Sequence, residues 1–153
     1  DISYIWTSEG WLYLAVILDL YSRRVTGWAV SNCMKKDLAI RALDMAVALR
    51  QPPEDCIHHT DRGSQYCSNE YQKRLSKHGF KVSMSGKGNC YDNSMVETFF
   101  KSIKAEMIWR NRWNTRRQAE GAIFQYINGF YNPRRRHSSL GGKSPLAFER
   151  KAA

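Results

Sequence analysis

Residues 1–30 read DISYIWTSEGWLYLAVILDLYSRRVTGWAV. Ile2–Thr7 and Trp11–Leu20 are rich in β-branched and aromatic side chains and flank Ser8-Glu9-Gly10, where the glycine can supply the positive φ of a tight turn. They read as a β-hairpin. Arg23–Val30 supplies a third strand, and because the second strand is apolar on both faces it is expected in the centre of a sheet, covered above and below by helices.

Beyond this unit the apolar period changes from two to about 3.6 residues. Lys36–Arg50 carries Leu38, Ala42, Met45, Ala46 and Leu49 on one helical stripe and is halted by Pro52-Pro53. A short strand at Cys56–Thr60 follows, then a helix capped by Ser68 and ended at Gly79, then a strand at Lys81–Met84 before the loop Ser85-Gly-Lys-Gly-Asn89. Asn93–Trp109 places Val96, Phe99, Phe100, Ile103 and Met107 at helical spacing. Thr115-Arg-Arg-Gln118 has the form of a capping box and opens a helix with the stripe Ala119, Ala122, Ile123, Tyr126, Ile127 and Phe130, stopped by Asn132-Pro133. This order predicts an α/β fold in one domain over residues 1–153, with a basic helical extension over about 110–150.

Composition narrows the function. Residues 1–100 hold 12 basic and 11 acidic side chains, whereas 101–153 hold 12 basic and 3 acidic, so +9 of the net +10 lies in the last third. A field segregated in this way favours a polyanion whose counterions can be released, and nucleic acid is the leading partner. An acidic protein partner and a merely solubilising face are the alternatives. The longest apolar run, Trp11–Leu18, has eight residues, far short of the roughly 20 that a membrane-spanning helix requires. Cys33, Cys56, Cys67 and Cys90 lack the CxxC spacing of structural zinc and read as reduced thiols. With neither an initiator Met nor a leader-like start, the chain reads as part of a longer polypeptide, in which the Asp1 nitrogen is an ordinary amide.

Three carboxylates stand at positions from which they can meet. Asp1 precedes the first strand, Asp61 follows the fourth, and Glu97 lies in the first turn of the helix after the glycine loop. Gathered together they would repel unless bridged by cations, and oxygen-only ligands favour Mg²⁺ or Mn²⁺. Two such ions about 4 Å apart can activate an attacking oxygen and stabilise the leaving oxygen of a phosphodiester. Singly, each acid also fits an ordinary role: a strand-edge charge, a turn residue, the second half of a Ser94–Glu97 capping box. Asp19 reads as a strand-end residue and Asp92 as a loop or cap residue.

Four ordered motifs, Asp1-Ile-Ser-Tyr-Ile, His59-Thr-Asp-Arg-Gly-Ser-Gln-Tyr66, Ser83-Met-Ser-Gly-Lys-Gly-Asn-Cys-Tyr-Asp-Asn93 and Tyr131-Asn-Pro-Arg-Arg-Arg-His137, closely resemble bacterial insertion-sequence transposases of the OrfB type, within the retroviral-integrase superfamily. The resemblance runs from Asp1 to about Phe148. It implies an RNase H-like fold, a five-stranded mixed sheet whose first three strands are antiparallel, and a DDE triad carried by Asp1, Asp61 and Glu97. It further implies two Mg²⁺ (or Mn²⁺) ions per site, and cleavage of DNA at the element's ends followed by joining of the freed 3′-hydroxyl to a target. A homo-oligomeric active complex at the nucleoid, in the bacterial cytoplasm, is the corresponding expectation. Two rival readings stay open: a non-catalytic basic DNA-binding module and a hydrolytic nuclease of the same fold.

Lys101 and Lys104 share the helical face of Glu97 and could hold phosphates beside the metals. Lys87 in the glycine loop is a further DNA candidate, although the loop lacks P-loop spacing and no nucleotide cofactor is expected. Arg110, Arg112, Arg116 and Arg117, interleaved with Trp109 and Trp113, suit backbone contacts and stacking. The densest basic run, Arg134, Arg135, Arg136 and His137, reads as a DNA track or as the solvated end of a helix.

Overall fold

The computed structural model of the chain describes residues 1–84 and 94–152. The loop expected at 85–89, with Lys87, and the neighbouring Cys90 and Asp92 fall outside them. β1 (Ile2–Thr7) and β2 (Gly10–Leu18) form the expected hairpin, in which Thr7 pairs with Gly10, so Ser8-Glu9 alone make the turn. Gly10 adopts φ +120°, which a residue with a Cβ would resist. The Thr7 hydroxyl locks the turn by donating to the Gly10 carbonyl at 2.7 Å. β3 (Val25–Ser31) pairs antiparallel with β2, which is therefore central, as its two apolar faces require.

Helices cover both faces of this sheet. On one face, α1 (Lys36–Arg50) seats Leu38 and Ala42 against Ala15 and Ala29. The approach is close because β3 carries Gly27: a Cβ there would lie 2.1 Å from the Ala42 carbonyl oxygen. Met45 and Leu49, expected on the buried stripe, are exposed, and Ala39 and Leu43 are buried instead. The reason is that α1 is also covered on its flank by α2 (Ser64–Cys67) and α3 (Asn69–Lys77), whose Tyr66, Tyr71 and Leu75 pack on Ala39, Ile40 and Leu43. Ser68 caps α3 by accepting from the Tyr71 N–H.

On the opposite face, Ile5, Leu12, Leu14 and Val16 meet α4 (Ser94–Glu106) through Phe99 and Ile103, and α5 (Arg116–Phe124) and the helical segment that follows it through Ile123 and Ile127. The basic segment that begins near residue 110 is thus built into the main core. α5 opens on the expected capping box, Thr115 with Gln118. From Gln125 to Tyr131 the helix widens to π geometry, shown by the Asn132 N–H donating to the Ile127 carbonyl five residues back. This moves the stripe by one position: Tyr131 is buried and Phe130, expected inside, is 41% exposed. A 3-10 turn at Ser138–Leu140 and α6 (Pro145–Ala152) complete the chain.

β4 (Ile57–Thr60) and β5 (Lys81–Met84) pair in parallel with each other. The expectation of one five-stranded mixed sheet needs correction, because the described strands form a three-stranded antiparallel ladder and a separate two-stranded parallel one. A cavity of about 480 Å³ lies between the ladders, lined by Val16–Leu18 from one and Ile57–Thr60 from the other.

Candidate active site and nucleic-acid interface

The β1–β2 ladder continues to Asp1, whose carbonyl accepts from the Val16 N–H at 3.0 Å. The Asp1 carboxylate accepts from the Ile2 N–H at 2.9 Å. At the end of β4, Asp61 Oδ1 accepts from the Gly63 N–H at 2.8 Å, an Asx-type turn that leads into α2. The two acids are neighbours in space. The Asp1 main-chain nitrogen is buried within the electrostatic reach of the Asp61 carboxylate.

Glu97 reaches the same region by its backbone. Asp1 lines the cavity between the ladders, and so do Thr60 and Val96, the residues immediately before Asp61 and Glu97. The Glu97 side chain itself is exposed on the first turn of α4. Among the described residues, no three His, Cys, Asp or Glu side chains stand close enough together to hold a metal ion. The structure therefore brings Asp1 and Asp61 together and leaves the Glu97 carboxylate at the edge. In donor chemistry the three acids suit a hard divalent cation, and their mutual repulsion opposes closer approach without one.

The cationic candidates divide into two sets. Lys101, Arg112, Arg117, Arg134 and Arg136 are exposed or half-buried, and Lys104 is half-buried on the Glu97 side of α4. Arg110 is exposed as well, with its Nε donating to the Ala105 carbonyl at 2.9 Å. Three others are committed to the fold. Arg116 is tied to the hairpin, its N–H donating to Glu9 Oε1 at 2.7 Å and its Nε to the Trp11 carbonyl at 3.0 Å. Arg135 forks onto Glu106, with Nε to Oε1 at 2.8 Å and Nη2 to Oε2 at 2.7 Å. His137 lies edge-on to Tyr131 with ring centroids 5.2 Å apart, and burial lowers its pKa. Arg116, Arg135 and His137 thus make contacts within the protein, and their expected DNA role is a matter for experiment.

Residues 1–90 match the integrase core domain family, and residues 97–152 match a second family of the same description. The chain belongs to the integrase core family. Transposase InsF for insertion sequence IS3A, from Escherichia coli K12, is 51% identical over 151 residues, covering 99% of this chain and 52% of the relative. The insertion element IS600 uncharacterized 31 kDa protein, from Shigella sonnei, is 47% identical over 151 residues, 99% of this chain and 56% of that protein. The chain thus spans about half the length of these curated relatives.

Among solved structures, the simian T-cell lymphotropic virus intasome in complex with PP2A regulatory subunit B56 gamma matches with TM-score 0.76 at 18% identity, over 97% of this chain and 51% of that one. The HTLV-2 integrase catalytic core domain in complex with magnesium, in a trimeric form, matches with TM-score 0.62 at 17% identity, over 97% and 91% of the two chains. This likeness is one of fold, and the fold is the RNase H-like integrase core that the sequence motifs imply.

Two polar assemblies of this integrase core have no counterpart in the sequence pattern. Asp19 accepts from the N–H groups of Tyr21 and Ser22 at 2.8 and 3.3 Å and pairs with Arg50 at 3.1 Å. Glu149 of α6 pairs with Arg24 at 3.0 Å and also with Arg50, fastening the last helix to the end of β2 and β3. In the second assembly, the buried Asn132 bonds the backbone of Val25. Glu149 and Asn132 lie about a hundred residues or more from their partners, so local pattern carries no signal for them; an Asn immediately before a Pro and after a buried stripe is the one available clue.

Proposed function

We propose that this integrase core is the catalytic part of an insertion-sequence transposase that cuts DNA at element ends and joins the freed 3′-hydroxyl to a target strand. The observation that carries the reading is that Asp1 and the residues immediately before Asp61 and Glu97 line one cavity. The identity with Transposase InsF over nearly the whole chain supports the same reading. Asp1, Asp61 and Glu97 are the residues to hold two Mg²⁺ or Mn²⁺ ions, with the first turn of α4 turning Glu97 inward. Bound there, such ions supply activation of the attacking oxygen and charge stabilisation of the leaving one. Lys101 and Lys104 position phosphates beside the acids, and Arg110, Arg112, Arg117, Arg134 and Arg136 follow the DNA backbone. Residues 1–153 act as one catalytic-core unit, in a homo-oligomeric complex at the bacterial nucleoid. Among the described residues no helix is long and apolar enough to cross a membrane.

The test is a strand-transfer assay with a labelled 3′-hydroxyl donor duplex and Mg²⁺. Joined product is expected from the natural chain, which distinguishes it from a hydrolytic nuclease, and Glu97→Gln and Asp61→Asn are expected to abolish joining while keeping DNA affinity. Full activity in Glu97→Gln would overturn the proposal. The exposure of the Glu97 side chain favours a second reading, a basic DNA-binding module without catalysis, for which Glu97→Gln changes nothing.

A further inference from the structure

The β1–β2 hairpin carries an aromatic surface that the core does not use. Tyr4 faces Tyr13 and Trp6 faces Trp11 across the ladder, so all four rings share the sheet face on which α1 packs. That helix covers the face around Ala15 and Ala29, with Tyr13 at the margin of the contact. Towards the turn, Tyr4, Trp6 and Trp11 are 58%, 59% and 44% exposed. The Trp11 ring meets those of Tyr4 and Trp6 edge-on, with centroids 5.0 and 4.9 Å apart, so the three form one surface. In an edge-on pair one ring keeps both faces clear of the other. A single exposed ring is unremarkable, whereas a contiguous aromatic surface marks a place of contact. Trp6 and Trp11 flank the turn, at the other end of the hairpin from the bond between Asp1 and Val16.

Charge selects the partner. Glu9 is the only carboxylate between Ile2 and Leu18, and it accepts from the Arg116 N–H. Arg116 Nε donates to the Trp11 carbonyl and the Ser8 N–H to the Trp113 carbonyl, both at 3.0 Å, which fixes the start of α5 beside the turn. The first turn of α5 holds Arg116 and Arg117 and no acid, although the helix dipole disfavours cations at that end unless an anion joins them. Arg112 and Arg117 are exposed there, with Glu120 one turn further on. Rings beside cations match a chain of phosphates that bears flat groups. In a duplex those groups are stacked on each other and closed to side chains, whereas an unpaired strand presents them. An apolar protein surface would leave the two arginines unmatched.

We propose that Tyr4, Trp6 and Trp11 form a stacking platform for the bases of an unpaired DNA strand, with Arg112 and Arg117 on its phosphates. The platform rests on the reading of the chain as a protein that acts on DNA and adds to it the form of DNA that is held. It requires neither metal nor the three acids.

Binding of the chain to labelled oligothymidylate, to an abasic strand of the same length and to a duplex, read by fluorescence anisotropy without metal, tests this. Oligothymidylate is expected to bind roughly tenfold more tightly than the abasic strand, the worth of stacking one or two bases. Trp6→Leu and Trp11→Leu are expected to remove that preference and to leave duplex affinity unchanged, whereas Trp6→Phe, which keeps a flat ring, retains most of it. Should Trp11→Leu not fold, Trp6→Leu decides. Equal affinity for the two strands overturns the platform, and so does an unchanged preference in Trp6→Leu; with duplex binding intact, either result leaves the DNA reading standing. Absence of binding to all three nucleic acids overturns both. Self-association of the chain that Trp6→Leu abolishes would give the surface to a second copy and overturn the proposal.

Discussion

Asn132 holds Val25 by both of its main-chain groups: the side-chain oxygen accepts from the Val25 N–H at 2.9 Å, and the side-chain nitrogen donates to the Val25 carbonyl at 3.1 Å. Both residues are buried. A side-chain amide thus does what a neighbouring strand does elsewhere, at the point where β3 begins. Asn132→Ala strands two buried backbone groups and is expected to cost about 2–4 kcal/mol, read from urea unfolding. Asn132→Asp, which cannot donate, is expected to be no better. A loss below about 0.5 kcal/mol would mean that water replaces the amide.

The fork of Arg135 on Glu106, joined by the Tyr126 hydroxyl at 2.8 Å, ties the end of α4 to the segment after α5. Hydrogen bonding from Arg135 lowers the Glu106 pKa below its ordinary 4.5. A depressed carboxylate contributes stability that is complete above the ordinary value and disappears as pH falls through the lowered one. Arg135→Gln is expected to cost about 1 kcal/mol at neutral pH, modest because the pair is partly solvated, and to flatten the acid limb of the stability curve below pH about 4.5. An unchanged acid limb would count against the pairing.

His58 gives a second pH dependence in a different window. Burial pushes its imidazole down from 6.5 to about 4, and the neighbouring His59 acts in the same direction. Its Nε2 shares a 2.8 Å hydrogen bond with the Tyr71 hydroxyl. Below pH 6.5 the unfolded chain takes up a proton that the folded one refuses, so stability declines by up to about 1.4 kcal/mol per pH unit until the folded group titrates. The slope between pH 6.5 and about 4 is expected to vanish in His58→Gln, measured by unfolding at a series of pH values. Parallel curves for the two chains would refute the assignment.

The division of the arginines predicts separable phenotypes. Replacing Arg112, Arg117, Arg134 and Arg136 by Gln is expected to weaken duplex binding and reduce the salt slope by about 0.9 for each phosphate no longer neutralised, with little change in Tm. Arg116→Gln and Arg135→Gln are expected to lower Tm and leave the salt slope nearly unchanged. Salt-dependent anisotropy and thermal unfolding read the two effects, and an exchange of behaviour between the sets would reverse the division.

Much of this architecture is legible from local chemistry. The bounds of α1 follow from its apolar period and Pro52-Pro53, and the start of α5 from Thr115 and Gln118. The hairpin follows from two β-rich runs around Ser8-Glu9-Gly10. What is not legible depends on distance or on phase. Met45 reads as core when α1 is set against one partner, whereas α2 and α3 cover its other flank. Phe130 reads as inward only if a regular α pitch runs through Gln125–Tyr131. Arg135 and Arg116 look available for DNA because their side-chain partners, Glu106 and the Trp11 carbonyl, lie 29 and 105 positions away. Of the acids, Asp1 and Asp61 come to one end of the fold as their strand positions imply, and the outward side chain of Glu97 depends on how α4 enters, which its own spacing does not fix.

The widened turn at Gln125–Tyr131 acts as a phase setter for everything that follows it. Removing one residue there would restore regular pitch and rotate the downstream chain by about 100°. Asn132 would then swing off Val25, Arg135 off Glu106, and α6 with Glu149 off Arg24, all from a deletion that touches none of them. Length in this short stretch is therefore under tighter constraint than side-chain identity, and substitutions there should be forgiven where insertions and deletions are not.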